Sequence, residues 1–446
     1  MTQSNYADRL NALIARTLKE GADAADARIS VNQSMSVEVR NGALEGVERE
    51  ESGGVALRAL IGHRQAHVSG SDMSDAGLEA LAERVVAMAK AAPEDPYAGI
   101  PDASELETEF VDLELQGDES PSAETLEQRA KAAEAAALDV SGVKQTGHAG
   151  ASWSASETYL AASNGFSAMK SGGMTSMAVL AIAEQDGAME RDYDSQARRR
   201  FADMPTPEDI GKTAGDRAVS RLGPRKIESQ TTTVIFENRL SSSLIGALVN
   251  AISGPSVARG VSFLKDRLGE QIFAKGVNIV DDPKRLGGFG SRAFDGEGRP
   301  VQRTKVIDDG VLHQWLLSGP SARQLGLSPN GFSSLSFGDP PGVSTSNLDM
   351  LAGEMSLAEM MKTAGEGLLV TDMFGPSLNP NTGDYSVGVS GVWFENGERA
   401  YPVSEVTVAS DLGSMFARLI PGADLEIRGA MNAPSLMIDG MSLAGA

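Results

Sequence analysis

The stretch NRLSSSLIGALVNAIS, residues 238–253, has the pattern of an amphipathic α-helix, and the rest of the chain is arranged around it. Its apolar side chains recur at a spacing of three or four, at Leu240, Leu244, Ile245, Leu248, Val249 and Ile252. Asn238 is a suitable cap for its first turn, and Gly254-Pro255 predicts its end. His, Glu, Asp and Cys are all missing between Asn238 and Ser253, so this helix offers no metal ligand and no general base.

The N-terminal region predicts strands between two helices. Apolar and polar residues alternate from about 27 to 71, with turn signals at Asn41-Gly42 and Gly53-Gly54, which indicates an antiparallel meander. Helical periodicity flanks this meander at 4–20 and 76–91.

The central region repeats this alternation of helices and strands. Helices are predicted at 122–138 and 207–221, and Asn164-Gly165 and Asp186-Gly187 predict hairpin turns between the strands. The strands are predicted at 141–154, 157–163, 173–184 and 187–195.

After residue 225 the chain is rich in glycine and mostly strand-like. The alternating segments are VNIVDD (277–282), TKVIDDGVLHQWLLS (304–318), GLLVTDMFG (367–375), DYSVGVSGVWFENGERAYPVSEVTVAS (384–410) and SLMIDGMSLAG (435–445). Helices are expected at 238–253, 320–326 and 356–365. The predicted fold class is α+β, with N-terminal layers of helix and antiparallel meander followed by a β-rich C-terminal domain with a few helices.

An acidic stretch separates the first two regions. Between Lys90 and Arg129 there are twelve Asp or Glu and no Lys or Arg. This composition is typical of a solvated connection with some extended structure, and the alternative is an acidic docking surface. The chain is therefore divided into an N-terminal α+β domain (1–92), an acidic connection (93–121), a central α+β segment (122–224) and a C-terminal β-rich domain (225–446).

Composition argues against several classes of protein. The 446 residues carry a formal charge of −22, which disfavours binding to nucleic acid or to an anionic membrane. Cysteine is absent from the sequence, which removes disulfides, thiolate zinc ligands and Cys nucleophiles. The N-terminus MTQSNYADRL has no signal-peptide pattern, and no window has the apolar length of a membrane span. We therefore predict a cytoplasmic protein without a nucleic-acid or membrane partner.

Three short motifs resemble functional sites, but their context favours a structural role. His63 and His67 have the spacing HxxxH, but His63 is expected in a turn and His67 on a strand, so they would not share a helix face. Gly211-Lys212-Thr213 resembles the end of a P-loop, but the glycine required five positions earlier is missing. Gly288-Phe289-Gly290 with Ala293 fits a loose GxGxxA, but another turn follows it where a dinucleotide site needs a helix.

The remaining titratable candidates also have a structural interpretation. A Ser–His–acid triad would need His148 or His313, and His313 is expected to be a packed or rim residue. Five acidic residues lie in predicted turns, namely Asp281-Asp282, Asp295 and Asp308-Asp309. Their carboxylates could bind Ca²⁺ or Mg²⁺, but Asp is also common in turns, and the favoured interpretation is that they form turns.

A run of three arginines, Arg198 to Arg200, has the chemistry to hold a carboxylate or phosphate. It falls at the end of a predicted strand, where such a run is more often a solvated edge. A solvated edge is therefore the favoured interpretation.

An ordered set of motifs resembles one family. FDGEG (294–298), TKVIDDGVLHQWLLSGPSARQLG (304–326), TGDYSVGVSGVWFENGE (382–398) and YPVSEVTVASDL (401–412) occur in the order found in the TldD/PmbA family, peptidase type U62, and are most similar to its PmbA (TldE) branch. The N-terminal VRNGALEGVEREESGGVALRALIG and GSDMSDAGLEALAERVVAMAK extend the resemblance over the whole chain except the acidic connection.

The resemblance implies a specific activity for the family. Its TldD members are zinc metallopeptidases with an HExxxH helix, in which two His bind the metal and the Glu is the general base, and a late Cys is a further ligand. PmbA/TldE members lack these residues and assemble with TldD into a cytosolic complex that degrades peptides or unfolded segments. The family is also linked to peptide-antibiotic maturation, antitoxin turnover and DNA gyrase modulation.

The metal site of the family does not carry over to this chain. An ungapped placement of HExxxH puts the first His on Gly246, the Glu on Ala247 and the second His on Ala251. The late Cys has no counterpart. We therefore predict a pseudo-active site without catalytic residues, metal or cofactor in this chain, and zinc only in a TldD-like partner.

Three functions follow from these observations. The first is a non-catalytic PmbA/TldE-type subunit that pairs with a TldD-like metallopeptidase and acts on peptide substrates. The second is a free-standing homodimeric regulatory or binding protein, related to gyrase or to an antitoxin. The third is an independent hydrolase with Asp/His chemistry around His313 and the acidic turns.

Overall fold

The computed structural model describes residues 3–335 and 339–445. Helices and antiparallel strands alternate in the first half of the chain, and the helices predicted there are confirmed to within one residue at each end. These elements are α1 (Gln3–Lys19), β1 (Ala24–Arg40), β2 (Ala43–Ile61), β3 (Arg64–Gly70), α2 (Asp75–Ala91), α3 (Ala123–Leu138), β4 (Val143–Ala162), β5 (Ser167–Gln185), β6 (Ala188–Arg198) and α4 (Pro207–Ser220).

One antiparallel sheet unites the N-terminal and central segments. Its strand order is β3-β2-β1-β4-β5-β6, so the pairing of β1 with β4 joins the two segments. Every second residue of β1, such as Ala25, Ala27 and Ile29, is buried in a core formed with α1 and α2. A second core holds α3 and α4 against β4 and β5. All four helices therefore lie on one face of the sheet, and the opposite face carries the polar residues.

Turn signals in this sheet are confirmed at three positions and wrong at one. Asn41, Asp186 and the Asn164-Gly165 pair lie in hairpin turns, the first two with positive φ. Gly53-Gly54 instead lies inside β2, where the two glycines pair with Val31 and Ser30 of β1. A Cβ on Gly53 would lie 3.0 Å from the Met73 methyl, so the glycine allows a close approach and not a turn. The predicted interruption between 154 and 157 is also wrong, because β4 pairs continuously through it.

The C-terminal half contains many short strands, as its alternating segments predict. Its elements are β7 (Gln230–Phe236), α5 (Asn238–Ala251), α6 (Gly254–Ala258), β8 (Ile279–Asp281), β9 (Thr304–Asp308), β10 (Val311–Leu312), α7 (Gly319–Leu325), β11 (Ser333–Ser334), β12 (Gly342–Val343), β13 (Leu348–Met350), α8 (Leu357–Ala364), β14 (Gly367–Leu378), β15 (Asp384–Glu395), β16 (Glu398–Asp411), α9 (Leu412–Arg418), β17 (Ile420–Pro421), β18 (Met431–Asn432) and β19 (Leu436–Ala444). The α+β prediction is confirmed.

Two short helices were not predicted from the sequence. Gly254-Pro255 ends α5, as predicted, but it also begins α6, because proline suits the first turn of a helix. The second is α9, whose N-cap is Asp411 at the end of β16, where the Asp411 carboxylate accepts a hydrogen bond from the Ser414 N–H at 2.8 Å.

The C-terminal core is built around α5. A six-stranded sheet in the order β16-β15-β14-β7-β19-β17 and a five-stranded sheet in the order β10-β9-β8-β13-β18 enclose it. Leu244, Ile245 and Leu248 of α5 are fully buried in this core, together with Phe236 and Phe416. Within residues 3–335 and 339–445, no helix combines the length and apolarity that crossing a bilayer demands.

The acidic strap, residues 93–121, connects both halves. Its acidic side chains are mostly exposed, as expected of a solvated connection, but its backbone is bonded to both halves. The Leu115 carbonyl accepts a hydrogen bond from the N–H of Gly173 on β5, and the Leu113 carbonyl accepts one from the Gly287 N–H in the C-terminal half, at 2.9 and 2.8 Å. The strap therefore fixes the position of the C-terminal half on the polar face of the N-terminal sheet.

Candidate functional site

The three α5 positions that were predicted to replace the HExxxH residues lie in two different environments. Ala247 and Ala251 are buried, with 8% and 6% exposure. Gly246 is only partly buried, and a Cβ added to it would meet nothing within 4 Å. In a regular α-helix, positions five residues apart lie roughly 140° apart around the axis. Positions 246 and 251 have this separation, which is also that of the two His in HExxxH, so the difference from the family's metal site lies in the side chains.

Three polar side chains of α5 donate hydrogen bonds to separate backbone carbonyls. The Ser241 hydroxyl donates to the carbonyl of Phe236 or Glu237, and the Ser243 hydroxyl donates to the Leu240 carbonyl. The Asn238 amide donates to the Asp424 carbonyl at 2.9 Å, and Glu237 occupies the N-cap position that was predicted for Asn238. A zinc ion needs nitrogen, sulfur or carboxylate ligands, so the side chains of α5 do not fit one. In the part of the chain that the structure describes, no three His, Asp or Glu residues form a metal-binding group.

The first turn of α5 is fixed by a buried ion pair. The Arg239 guanidinium donates to both carboxylate oxygens of Asp192 on β6, at 2.7 and 3.0 Å. Arg239 also donates to the Glu237 carboxylate and to the Thr371 carbonyl, both at 2.6 Å. Burial by itself raises the pKa of Asp192, but the hydrogen bond and charge of Arg239 outweigh burial and hold this pKa below its usual range.

Further ion pairs surround this contact between the two halves of the molecule. Arg221, which follows α4, lies 3.0 Å from Asp372 on β14 and 3.4 Å from Asp192. Arg217 on α4 donates to Asp194 on β6 at 2.8 Å. These residues, with Arg239, form an interdomain ion network that joins the N-terminal sheet to the C-terminal core.

A cavity of about 560 Å³ lies between the two halves. Its floor is the polar face of the N-terminal sheet, where Ser34, Ser154 and Ser156 come from β1 and β4. Its walls are the strap at 110–116 and the loop at 289–294. This volume is within the range of pockets that bind small ligands. The sequence analysis did not identify the cavity, because its walls come from segments that are far apart in the chain.

Arg199 is a structural cross-link at the edge of this cavity. Its guanidinium donates to the carbonyls of Gly173, Gly287 and Gly288, at 2.8, 3.1 and 2.6 Å, and packs against the Phe289 ring. The expectation of a solvated arginine edge is therefore wrong for Arg199. Burial lowers its pKa, and the carbonyls satisfy its donors.

The HxxxH pair does not form a site. His63 lies in the turn between β2 and β3, and His67 lies on β3, as predicted. His67 lines a small second pocket with Arg58 and Asp26. Burial, and then the positive charge of Arg58, lower the pKa of His67 to about 4. His67 is therefore a neutral packed residue at neutral pH.

The FDGEG motif forms a buried turn. The Asp295 carboxylate accepts hydrogen bonds from the N–H groups of Glu297 and Arg299, both at 2.9 Å. Burial, and then the charge of Glu297, raise the pKa of Asp295 to about 6. The Glu297 carboxylate accepts a hydrogen bond from the Gly319 N–H at 2.7 Å and pairs with Arg299 at 3.0 Å. The motif therefore ties the start of α7 to the loop that borders the cavity.

The glycine motifs are explained by close packing. A Cβ on Gly211 would lie 2.0 Å from the Ala133 carbonyl oxygen, because α4 crosses α3 at this point. A Cβ on Gly290 would lie 2.1 Å from the Ser346 carbonyl oxygen, and turns follow Gly290. The P-loop and dinucleotide interpretations are therefore excluded by the geometry.

The other titratable candidates are scattered. His313 is exposed after β10, and His148 is half-buried on β4, where it lies 3.7 Å from Glu38. Asp281 is buried and accepts a hydrogen bond from the Ser346 N–H, and Asp309 lies in a turn with positive φ. Turn chemistry is thus confirmed for Asp309, and His313 is a rim residue.

Comparison with known proteins gives a consistent result. Three family profiles match, described as PmbA/TldA metallopeptidase domain 1 (residues 25–89), central domain (117–222) and C-terminal domain (229–445). The chain is 34% identical over 427 residues to the metalloprotease PmbA of Escherichia coli O157:H7, covering 95% of this chain and 93% of that protein. It is 31% identical over 430 residues to the PmbA homologue of Haemophilus influenzae, covering 96% and 93%.

Solved structures share the fold at lower identity. A DNA-gyrase-modulator candidate from Bacteroides thetaiotaomicron superposes with a TM-score of 0.92 at 24% identity, covering 100% of both chains. TldE from Thermococcus kodakarensis superposes with a TM-score of 0.87 at 17% identity, covering 98% of this chain and 100% of that one. The whole described fold is therefore that of these proteins.

Proposed function

Since the chain belongs to the PmbA/TldD metallopeptidase family, we propose that it is the non-catalytic, TldE-type subunit of a zinc-dependent peptidase complex. In this proposal a TldD-like partner supplies the metal and the general base. This chain completes the assembly and helps to enclose the peptide substrate, and the complex is a heteromer of the cytoplasm.

The observation that carries the proposal is the chemistry of α5. Gly246, Ala247 and Ala251 occupy the places where the family's metallopeptidase helix would carry its two ligands and its base. None of these three residues has a side-chain donor atom that could bind zinc or move a proton. The helix is nevertheless well packed, so it has been retained as a structural element of the core.

The proposal is tested by reconstitution with the HExxxH-bearing family member of the same organism. We expect the two chains to co-elute on size exclusion and to cleave an unstructured peptide such as the insulin B chain. The activity should be lost with a chelator or with a Glu→Gln change in the partner's HExxxH. This chain alone should not cleave the peptide. It should bind less than about 0.1 mole of zinc per mole of chain, whereas an occupied zinc site would bind about one.

Two results would overturn the proposal. Stoichiometric zinc, or chelator-sensitive cleavage, in the isolated chain would make it an independent hydrolase. A stable homodimer that ignores the HExxxH-bearing chain would favour the free-standing regulatory protein. The Gly246→Ala variant is the matched control, because its added Cβ meets nothing within 4 Å in this chain, and we expect it to keep the assembly and its activity.

A further inference from the structure

We propose that the cavity of about 560 Å³ binds the C-terminal carboxylate of a peptide, with the Lys170 ammonium as its counter-ion. The choice of a peptide as ligand rests on the proposed function. The site itself is inferred from the charge, the polar floor and the apolar wall of the cavity.

Lys170 provides a cation inside this cavity. It lies on β5 opposite Thr158 of β4, on the polar face of the sheet. Among residues 3–335 and 339–445, none forms a hydrogen bond or ion pair with its ammonium. Its side chain is exposed to the cavity, but protein surrounds the cavity on several sides. This enclosure, and then the nearby charges of Arg28 and Arg292, lower the pKa of Lys170. A bound carboxylate would compensate for all of these effects.

The cavity is cationic although the chain is strongly acidic. Among the described residues, its lining includes the basic Lys170, Arg199 and Arg292 and one acidic residue, Asp112. The Arg292 guanidinium is held by the carbonyls of Gly331 and Ser344 at 3.1 and 2.8 Å, so it contributes charge from a fixed position. With a net charge of −22, the outer surface repels anions, and this local field favours a carboxylate only inside the cavity.

The floor offers neutral hydrogen-bonding groups beside this cation. Ser34 pairs with Ser154 across β1 and β4, and Asn32 pairs with Ser156 at the next position on the same face. Hydroxyl and amide groups both donate and accept, so they match the alternating N–H and C=O groups of a peptide backbone. A carboxylate on Lys170 would therefore be followed by a polar track for the preceding residues.

The wall exposes large apolar side chains. Phe110 on the strap is 49% exposed, and Met174, opposite Ser154 on the polar face, is 38% exposed. Methionine adapts to irregular apolar shapes, and an aromatic ring provides a broad contact surface. A peptide with an apolar residue next to its carboxylate would cover this surface, whereas an inorganic anion would leave it in water. The geometry therefore favours a peptide end over a small anion.

The test measures binding to the isolated full-length chain by fluorescence anisotropy. The probes are fluorescein-labelled Ala-Ala-Ala-Phe as the free acid, the same peptide as its C-terminal amide, and unlabelled inorganic phosphate as competitor. We expect the acid to bind at least about tenfold more tightly than the amide, as one charge-assisted hydrogen bond implies. Lys170→Met should abolish this preference, and Lys170→Arg should retain it. Lys144→Met, at an exposed position of β4 outside the cavity, should behave as wild type.

Several results would overturn the inference. These are no binding of the acid, equal binding of acid and amide, or a preference that survives Lys170→Met in a variant with an unchanged circular dichroism spectrum. If inorganic phosphate displaced the free-acid peptide at a concentration similar to that of the peptide, the cavity would be a site for small anions instead. Because the chain is titrated without a partner, failure of complex formation does not affect this measurement. Failure here, with complex formation intact, removes only the carboxylate site.

Discussion

The Arg239 guanidinium, in the first turn of α5, donates to both carboxylate oxygens of Asp192 on β6, and both side chains are almost fully buried, with 5% and 3% exposure. These residues are 47 positions apart and belong to different halves of the molecule. The pair therefore fixes the helix at the centre of the C-terminal core relative to the N-terminal sheet. Burying two charges is costly, and the bidentate geometry and the extra carbonyl contact of Arg239 offset that cost.

Removal of one partner should reveal this cost. Arg239→Met leaves the Asp192 carboxylate buried with the hydrogen bond from the Tyr193 N–H and the longer contact to Arg221, but without its bidentate counter-ion, so we expect a loss of about 3 kcal/mol in the free energy of unfolding. The measurement is urea denaturation followed by circular dichroism. Lys212→Met, which breaks the exposed pair with Asp216, is the control and should cost no more than about 0.5 kcal/mol. Similar losses in the two variants would contradict a structural role for the buried pair.

Gly246 and Gly211 are both helical glycines, but their surroundings are opposite. A Cβ on Gly246 meets open space, so Gly246→Ala should stabilise the protein by about 0.5–1 kcal/mol through helix propensity. A Cβ on Gly211 would collide with the Ala133 carbonyl, so Gly211→Ala should destabilise it by about 1–3 kcal/mol. Thermal melts of the two variants check both signs. A destabilising Gly246→Ala would indicate that this position is crowded.

Restoring the missing side chains on α5 should not create a peptidase. The triple variant Gly246→His, Ala247→Glu, Ala251→His places large polar groups at two buried positions, and the chain still has no counterpart of the late Cys ligand. We expect a less stable protein without stoichiometric zinc by mass spectrometry of the metal content. Tight zinc binding by this variant would show that α5 can adjust its geometry around a metal.

Much of the local structure could be predicted from the sequence, and most of the long-range structure could not. The helices α1 to α4 follow from periodicity because each buries one continuous stripe. The turn predicted at Gly53-Gly54 was wrong because glycine occurs both in turns and where another group comes close to a strand. Here the position of Met73 shows that the glycine allows a close approach. The pairing of Arg239 with Asp192 has no local signal at all.

The candidate sites differ in the same way. The prediction of degenerate positions on α5 rests on the family resemblance alone, because Gly246, Ala247 and Ala251 are ordinary helix residues by themselves. The cavity was missed because Lys170 and Phe110 come from segments that meet only after the strap has folded across the sheet. A lone lysine in a serine-rich strand was the available signal, but the sequence does not show that it lacks a partner.

His67 should make stability fall as the pH is lowered. Its pKa is about 4 in the folded protein and about 6.5 in the unfolded chain, so the unfolded state binds the proton more tightly. The stability that it contributes is present above about pH 6.5 and is lost as the pH falls towards 4. His67→Gln removes this dependence, which is at most about 1.4 kcal/mol per pH unit. Melting temperatures between pH 4 and 8 test it, and His63→Gln in the exposed turn is the control and should keep the wild-type slope.

Asp295 should show the opposite dependence in the same range. Its pKa is about 6 in the folded protein and near 3.8 in the unfolded chain, so the folded state binds the proton more tightly. The stability that it contributes is present at low pH and is lost as the pH rises through about 6. Asp295→Asn keeps an oxygen acceptor for the N–H groups of Glu297 and Arg299 but does not titrate. Relative to wild type, this variant should therefore gain stability between pH 4 and 6 and then stay level.

The control for this prediction is Asp266→Asn, at an exposed position, which should show no such gain. A constant difference between wild type and Asp295→Asn over this range would mean that the carboxyl group is already ionised at pH 4.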